Sequence, residues 1–305
     1  MMPPSTMTGA AQPATPVNFD VPPGACDCLT HIFGDSTRFP MAPGRTYTPE
    51  SASIAEIQAL HRALHIDRVI IVQPTIYGTD NACTLDAIRQ LGAIARGVAV
   101  IDENTSELAL DDMDRAGIRG IRVNLETVGM IDPAIARRRV QAAVERVKGR
   151  PTWHLQIYTR PAIIEAIFDL LVACPVPVSL DHFAGVKMPD GMRHPGFGLV
   201  LDLLRSGKAW VKLSAPYLAS ALAPDHSDVV PLAKALIAAN PARILWGTNW
   251  PHPNSGRGEG RAPTDIAPLR QVDDGSILNR LPLWAPDAAL RKAILVDNPA
   301  QLYGF

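Results

Sequence analysis

Eight short apolar runs, rich in β-branched residues and separated by helical patterns, constrain the fold of this chain more than any other feature. The runs lie near residues 25–33, 67–73, 97–102, 118–124, 153–158, 176–182, 209–214 and 243–249. Between the first two runs, Ile54, Ile57, Leu60 and Leu64 recur with the period of an amphipathic helix. Near-continuous apolar strands that alternate with helices indicate parallel strands buried on both faces. The sequence therefore predicts an α/β fold, either a closed (β/α)8 TIM-like barrel or a doubly wound open sheet.

The closed barrel is the favoured alternative, and it implies a single domain. The first run is not followed by the glycine-rich phosphate turn found in many doubly wound sheets. No linker interrupts residues 25–305, and barrels of this length are common as one domain. Residues 1–24 are rich in Pro, Ala and Thr, so we expect a flexible, disordered or surface-laid tail.

Two long insertions, residues 34–49 and 252–286, follow the first and eighth runs. In a (β/α)8 barrel, the segments that leave the carboxyl ends of the strands build the active-site face. We therefore expect both insertions to overhang the mouth of the active site.

Charge and composition exclude several classes of partner. The chain has 29 basic and 30 acidic residues and a net charge of -1, which argues against nucleic acid or an anionic membrane surface. No apolar stretch approaches the ~18 residues that a membrane span needs. Residues 1–24 show no signal-peptide pattern, and we expect the four cysteines to be free thiols, which predicts a cytoplasmic location. The predicted partner is a small-molecule substrate, and a homo-oligomer remains possible.

Polar residues at the carboxyl ends of the eight predicted strands are the candidates for chemistry, because strand interiors in such barrels only pack. Every one of the eight ends carries at least one polar side chain. Any one of these side chains could be a hydrogen-bonded buried group. A ring of eight is better explained as a functional site.

Four segments resemble one enzyme family. They are residues 27–34 (DCLTHIFG), Asp181-His182-Phe183, residues 246–254 (WGTNWPHPN) and residues 297–303 (DNPAQLY). The chain is similar here to the amidohydrolase-2 branch of the amidohydrolase superfamily and, within it, to the group of pyrone dicarboxylate lactonases and galactarolactone isomerases. Residues 45–49 (RTYTP) resemble the lactonases in particular. The resemblance implies a (β/α)8 barrel enzyme that acts on a lactone.

The metal-binding pattern of that family is incomplete in this sequence. Metal-binding members carry His-x-His on the first strand, further histidines on strands five and six, and Asp on strand eight. This chain has Leu29 in place of the first histidine, Tyr158 on strand five and Asn249 on strand eight. Leucine offers no lone pair and a neutral amide is a weak ligand, so only His31 and His182 remain as good donors. We therefore predict that the enzyme uses no catalytic metal and no other cofactor.

The remaining residues can still process an activated carbonyl group. We expect His31 and His182 to face each other across the barrel mouth and to act as general base and acid, titrating near neutral pH. Asn249 is the third predicted catalytic residue, and Asp181 is expected to hold a neighbouring group rather than to titrate in the site. The predicted substrate-binding residues are Tyr47, Arg122, Asn124, Tyr158, Ser214, Tyr217 and His252.

Three functions follow from this pattern, and the first is favoured. It is a metal-independent lactone hydrolase in which a histidine-activated water attacks the ring carbonyl. The alternatives are a lactone isomerase, in which a substrate hydroxyl attacks the carbonyl in place of water, and a non-catalytic barrel that binds a small ligand. The dicarboxylate lactonases use several arginines, whereas no arginine follows His182 or Ser214 closely here. We therefore expect a lactone with at most one carboxylate, and an apolar wall formed by Tyr217.

Overall fold

Eight parallel strands in consecutive order form the centre of the molecule in a computed structural model that describes residues 9–127, 129, 132–256 and 260–305. The strands are β1 Cys26–Thr30, β2 Arg68–Val72, β3 Ala95–Ala99, β4 Ile118–Asn124, β5 His154–Tyr158, β6 Val178–Leu180, β7 Ala209–Ser214 and β8 Ile244–Gly247. A sequential order with parallel pairing throughout is the topology of a (β/α)8 barrel and not that of a doubly wound sheet.

Two backbone hydrogen bonds join the last strand to the first. The Asn249 amide donates to the Leu29 carbonyl at 2.8 Å, and the His31 amide donates to the Trp250 carbonyl at the same distance. These bonds close the barrel just beyond the ends of β1 and β8, and they confirm the predicted TIM-like barrel. They also bring two of the predicted catalytic residues, His31 and Asn249, to the same point on the rim.

The helices lie outside the strands, and several begin at the residues that the sequence favours. In α1, Ser53 and Glu56 form a reciprocal capping box. Pro161 occupies the first turn of α5, where its missing N–H costs no hydrogen bond. The helices are α1 Ile54–Leu64, α2 Ala82–Leu91, α3 Glu107–Arg115, α4 Pro133–Val147, α5 Pro161–Ala173, α6 Pro195–Arg205, α7 Pro216–Ala219, α8 Val230–Ala239, α9 Asp274–Leu278, α10 Leu281–Trp284, α11 Ala288–Lys292 and α12 Asn298–Tyr303.

The strands lie close to their predicted positions, with one clear displacement. β3 runs over Ala95–Ala99, two residues before the predicted 97–102, and Asp102 lies in the following turn. There the Asp102 side chain accepts hydrogen bonds from the backbone of Asn104 and Thr105. An aspartate that stabilises its own turn does not reach the barrel mouth.

Residues 9–24 run along the barrel surface and make specific hydrogen bonds to it, which corresponds to the surface-laid form of the expected tail. The Ala14 and Thr15 amides both donate to Asp273, and the Thr15 hydroxyl donates to the same carboxylate at 2.5 Å. The Trp250 indole N–H donates to the Ala11 carbonyl. Residues 1–8 of this tail, and residues 257–259 of the second insertion, lie outside the described residues.

No helix in the described ranges is long and apolar enough to cross a membrane.

Candidate active site

A cavity of about 510 Å³ opens at the carboxyl ends of the strands. Both insertions reach it, the first through Tyr47 and the second through Pro253, Ser255 and Arg270. Seven of the ten predicted site residues line it: His31, Tyr47, Arg122, Asn124, Tyr158, His182 and Asn249. Ser214, Tyr217 and His252, which were predicted to bind substrate, are not among the lining residues. Ser214 and Tyr217 instead contact residues that line the cavity, and the His252 side chain contacts Tyr217, as described below.

His31 presents one ring nitrogen to the cavity in a fixed tautomer. Its Nδ1 lies 2.8 Å from the carbonyl oxygen of Val72. A carbonyl oxygen only accepts, so Nδ1 carries the hydrogen and Nε2 keeps a free lone pair. Burial, and next the charge of Arg122, lower the pKa of His31 to about 3. The ring is therefore a neutral hydrogen-bond acceptor at pH 7. The predicted titration of His31 near neutral pH is wrong.

His182 lies on the same cavity and is oriented by Ser214. Its Nδ1 is 2.9 Å from the Ser214 hydroxyl, and the Tyr158 ring packs edge-on at 4.6 Å between ring centroids. Burial lowers the pKa of His182 to about 4, although Asp181 acts in the opposite direction. The near-neutral titration predicted for this residue is therefore also wrong, because the barrel interior disfavours the imidazolium form. Ser214 orients His182 from behind instead of lining the cavity.

Asp181 holds together a buried group of charges beneath the two histidines. Arg122 donates to a single Asp181 oxygen through Nε at 3.1 Å and through an Nη at 3.0 Å. The ammonium group of Lys212 lies 3.4 Å from the other oxygen and donates to Gln156 at 2.6 Å. Burial alone would raise the pKa of Asp181, but Lys212 and Arg122 bring it down to about 2. Asp181 therefore holds neighbouring groups, as predicted, and part of the charge of Arg122 is already neutralised.

Two tyrosines on the cavity wall keep their phenolic hydrogens at pH 7. Burial raises the pKa of Tyr47 and of Tyr158 to about 12 in each case. The Arg122 guanidinium lies 5.8 Å from the centroid of the Tyr158 ring. Asn124 forms a local turn with Thr127, to which it both donates and accepts at 3.0 Å. The cavity thus combines these neutral groups with the Arg122 guanidinium, which is paired with Asp181.

Asn249 lines the cavity with a row of hydrogen-bonded groups behind it. Its Nδ2 donates to the Tyr217 hydroxyl at 2.9 Å, and that hydroxyl lies 3.1 Å from Nδ1 of His252. The other ring nitrogen of His252 lies 2.9 Å from Asp274. Tyr217 therefore does not form the apolar wall that the sequence suggested, because its polar end is directed at Asn249 and His252. His252 is fully buried and is not placed to contact a ligand.

Arg270 is a functional candidate that the sequence analysis missed. It lines the cavity, and its guanidinium lies 5.7 Å from the centroid of the Tyr217 ring. The residue lies in the second insertion, where no periodicity marks which side chain turns inward. Its position after strand eight was the only available signal.

Glu126, which the sequence analysis also missed, lines the cavity and is paired with Arg160. Arg160 donates to the two Glu126 oxygens at 2.6 and 2.8 Å. Among the described lining residues, Arg270 is therefore the cation without a carboxylate partner, whereas Arg122 is held by Asp181.

The rim is built from backbone conformations that few side chains adopt. His182, Asn249 and His252 have φ values of 50°, 68° and 60°, in the left-handed region, and so do Ala184 and Ala215. Non-glycine residues in this region are uncommon and cost of order 1 kcal/mol or more each. They follow strands β6, β7 and β8, and two of them, His182 and Asn249, themselves line the cavity.

The side chains at the strand ends do not fit a divalent metal ion, which the full pattern of histidines and an aspartate described above would hold. Leu29 is fully buried and has no lone pair, and Asn249 supplies only a neutral amide oxygen, which is a weak ligand. The charges of Arg122 and Lys212 lie beneath the same cavity, close to Asp181, the carboxylate best placed to serve as a ligand. Within the described ranges, no three His, Cys, Asp or Glu side chains come together as a metal site.

Comparison with known proteins agrees with this geometry. The amidohydrolase family profile matches residues 26–305. A 2-pyrone-4,6-dicarboxylate hydrolase of Comamonas testosteroni is 34% identical over 302 residues, covering 96% of this chain and 94% of that protein. A 4-sulfomuconolactone hydrolase of Rhizobium radiobacter is 33% identical, covering 95% and 93%. A D-galactarolactone isomerase of Agrobacterium fabrum is 30% identical, covering 92% and 91%.

These matches span nearly the whole barrel and include the strand-end segments on which the resemblance was based. The chain therefore belongs to the amidohydrolase family of enzymes.

Proposed function

We propose that this protein is a metal-independent lactone hydrolase that acts on a small lactone with at most one carboxylate. The observation that carries the proposal is the pair of neutral imidazoles, His31 and His182, on one cavity above a buried cationic floor. The relatives add support, since two are named hydrolases of lactones and a third is named a lactone isomerase.

His31 is the base in this mechanism. Its Nε2 lone pair is free because Nδ1 donates to the Val72 carbonyl. Nε2 takes a proton from water while the water oxygen bonds to the ring carbonyl carbon, and the carbonyl oxygen becomes an oxyanion. Arg122 and the Tyr158 hydroxyl, both on the cavity wall, stabilise that charge.

His182 assists departure of the ring oxygen. In this mechanism the Ser214 hydroxyl, 2.9 Å from Nδ1, donates to that nitrogen, so that the hydrogen of the neutral ring is on Nε2. As the bond between the carbonyl carbon and the ring oxygen breaks, the proton that His31 took from water is transferred to the leaving oxygen, to which the Nε2–H of His182 donates a hydrogen bond. Both rings are then neutral again. The product is the ring-opened acid, released with one proton at neutral pH.

The charges of the cavity set the limit of one carboxylate. Arg270 lacks a carboxylate partner among the described lining residues, and Arg122 already shares Asp181 with Lys212. One guanidinium without a carboxylate partner among the described residues matches one substrate carboxylate, preferably through two parallel hydrogen bonds. A second carboxylate would have to compete with Asp181 for Arg122.

Lactone isomerisation is the second candidate, and Asn249 is the observation that favours it. An amide cannot take a proton from water, but it can accept a hydrogen bond from a substrate hydroxyl and so align that hydroxyl with the carbonyl carbon. Attack by that hydroxyl instead of water would convert one ring into another without releasing acid.

Proton NMR of lactones incubated with chelator-treated enzyme, with acid release followed in parallel, tests the proposal. The panel contains sugar-acid, muconolactone-type and pyrone lactones. Ring opening with one equivalent of acid, lost in His182→Ala, is the expected result. A new lactone without acid would establish the isomerase, and turnover only after zinc addition would overturn metal independence. Saturable binding without turnover in either condition would indicate a ligand-binding barrel.

A further inference from the structure

A line of four side chains runs from a buried carboxylate to the wall of the cavity. Asp274 lies on α9 in the second insertion, and Tyr217 lies on α7. Asn249 and His252 both follow the end of β8. The successive distances are 2.9, 3.1 and 2.9 Å, each within hydrogen-bond range. Asn249 alone among the four lines the cavity.

The chemistry of the two ends fixes the direction of the hydrogens. With Asp274 ionised, the hydrogen between Asp274 and His252 belongs to Nε2 of the ring, because a carboxylic acid is a stronger acid than an imidazolium. In the neutral ring Nδ1 of His252 is then an acceptor and takes the single hydrogen of the Tyr217 hydroxyl. The Tyr217 oxygen has no second hydrogen to give, so it accepts one from the Asn249 amide, in agreement with the 2.9 Å contact from Nδ2.

We propose that Asp274, His252 and Tyr217 are positioning residues that hold the Asn249 amide nitrogen away from the reacting atoms and so present its carbonyl oxygen to the substrate. Asn249 then accepts a hydrogen bond from the attacking O–H group, whether water or a substrate hydroxyl, and aligns it with the ring carbonyl. This role rests on the proposed lactone chemistry. The orientation of the amide does not, and it can be tested separately.

Tyr217 serves a second cavity residue as well. The Arg270 guanidinium lies over its ring at 5.7 Å, while its hydroxyl holds Asn249. Removing the hydroxyl alone leaves the ring under Arg270 in place. Tyr217→Phe therefore separates alignment of the nucleophile, which should affect kcat, from binding of the substrate anion, which should affect KM.

The first test is nitrogen-15 NMR of the full-length protein with labelled histidine, in which His252→Gln identifies the resonances of His252. We expect Nε2 to be protonated and Nδ1 to be an unprotonated acceptor. A proton on Nδ1 instead would reverse every hydrogen bond in the line and turn the Asn249 oxygen towards Tyr217, and it would overturn the proposal whether or not lactones are turned over.

The second test is kinetic and uses Tyr303→Phe as a matched control. Tyr303 is fully buried, and its hydroxyl has no hydrogen-bond partner among the residues described. Tyr217→Phe should lower kcat on the order of tenfold, the effect of one lost hydrogen bond, with KM within twofold. Tyr303→Phe should change neither value.

A double-mutant cycle distinguishes positioning from general loosening of the fold. In an Asn249→Ala background, Tyr217→Phe should have no further effect on kcat, because the group that it orients is gone. Multiplicative losses would show that Tyr217 acts independently of Asn249 and would contradict the proposal. If the parent enzyme turns over no lactone, the proposed function fails, and the protonation of His252 alone decides the orientation of the amide.

Discussion

Arg122 directs both Nε and an Nη to the same oxygen of Asp181, while Lys212 approaches the other oxygen at 3.4 Å. All three side chains are almost completely buried. Two cations therefore share one carboxylate in the floor of the cavity, and the surplus positive charge lies where an anionic intermediate would form above it. The stability of this buried arrangement therefore depends strongly on Asp181, its single carboxylate.

Asp181→Asn should destabilise the fold severely. The substitution leaves Arg122 and Lys212 buried without a counter-ion, and loss of one partner from a buried pair typically costs about 3–5 kcal/mol. Urea unfolding followed by circular dichroism measures the change. Asp112→Asn is the matched control, because its pair with Arg115 is largely exposed and should contribute about 1 kcal/mol or less. Equal stability of the two variants would contradict the view that Asp181 neutralises the floor.

Stability should fall as the pH drops from about 6.5 towards 4. Burial lowers the pKa of His31 and of His154 to about 3 and that of His182 to about 4, whereas unfolded histidine titrates near 6.5. In this window the unfolded chain binds protons that the folded chain does not, so acid favours unfolding. Each such histidine contributes up to about 1.4 kcal/mol per pH unit.

His154→Gln isolates one of these three contributions. His154 lies in the barrel interior, where its Nδ1 donates to the Arg119 carbonyl at 2.6 Å, and it does not line the cavity. The variant should lose about one proton from the pH dependence of the unfolding free energy, whatever its stability at pH 7. An unchanged slope would mean that His154 is not held neutral by the fold.

The pH profile of kcat/KM should be flat between pH 7 and pH 5 and should fall below that range. Catalysis requires His31 as a free base, and its folded pKa of about 3 keeps it neutral until the solution is strongly acidic. The profile is to be measured over the range in which circular dichroism shows the enzyme to be folded. A midpoint near 6.5 would restore the near-neutral titration that the sequence alone suggested.

Arg270→Met should raise KM for an anionic lactone and leave kcat nearly unchanged. A charged hydrogen bond is worth about 1.5–3 kcal/mol, which corresponds to an increase on the order of ten- to a hundredfold. A neutral lactone should show little change. Arg205→Met, at an exposed ion pair on α6, is the control for loss of charge. An equal increase in KM for neutral and anionic lactones would contradict the assignment.

The barrel and much of its site could be predicted from the sequence, because both depend on local periodicity and strand order. His31 and His182 follow apolar strands directly, so their place on the cavity wall follows from where those strands end. Ser214 ends β7 and His252 follows β8, but which way a side chain turns at a rim with left-handed backbone is not encoded by alternation.

The pKa values and the role of Arg270 could not be predicted for a different reason. The lowered pKa of His31 arises from burial and from the charge of Arg122, which lies 91 positions further along the chain. Arg270 and Asp274 lie in an insertion without periodicity, and their position depends on long-range contacts. One of these is the bond of Thr15 to Asp273, the residue that caps α9.

Turnover of a lactone in oxygen-18 water, analysed by mass spectrometry, shows directly whether water attacks the ring carbonyl. We expect one heavy oxygen in the new carboxyl group of a ring-opened product, formed by chelator-treated enzyme and not by His31→Gln. A rearranged lactone that contains no heavy oxygen would contradict attack by water, because a substrate hydroxyl would then be the nucleophile.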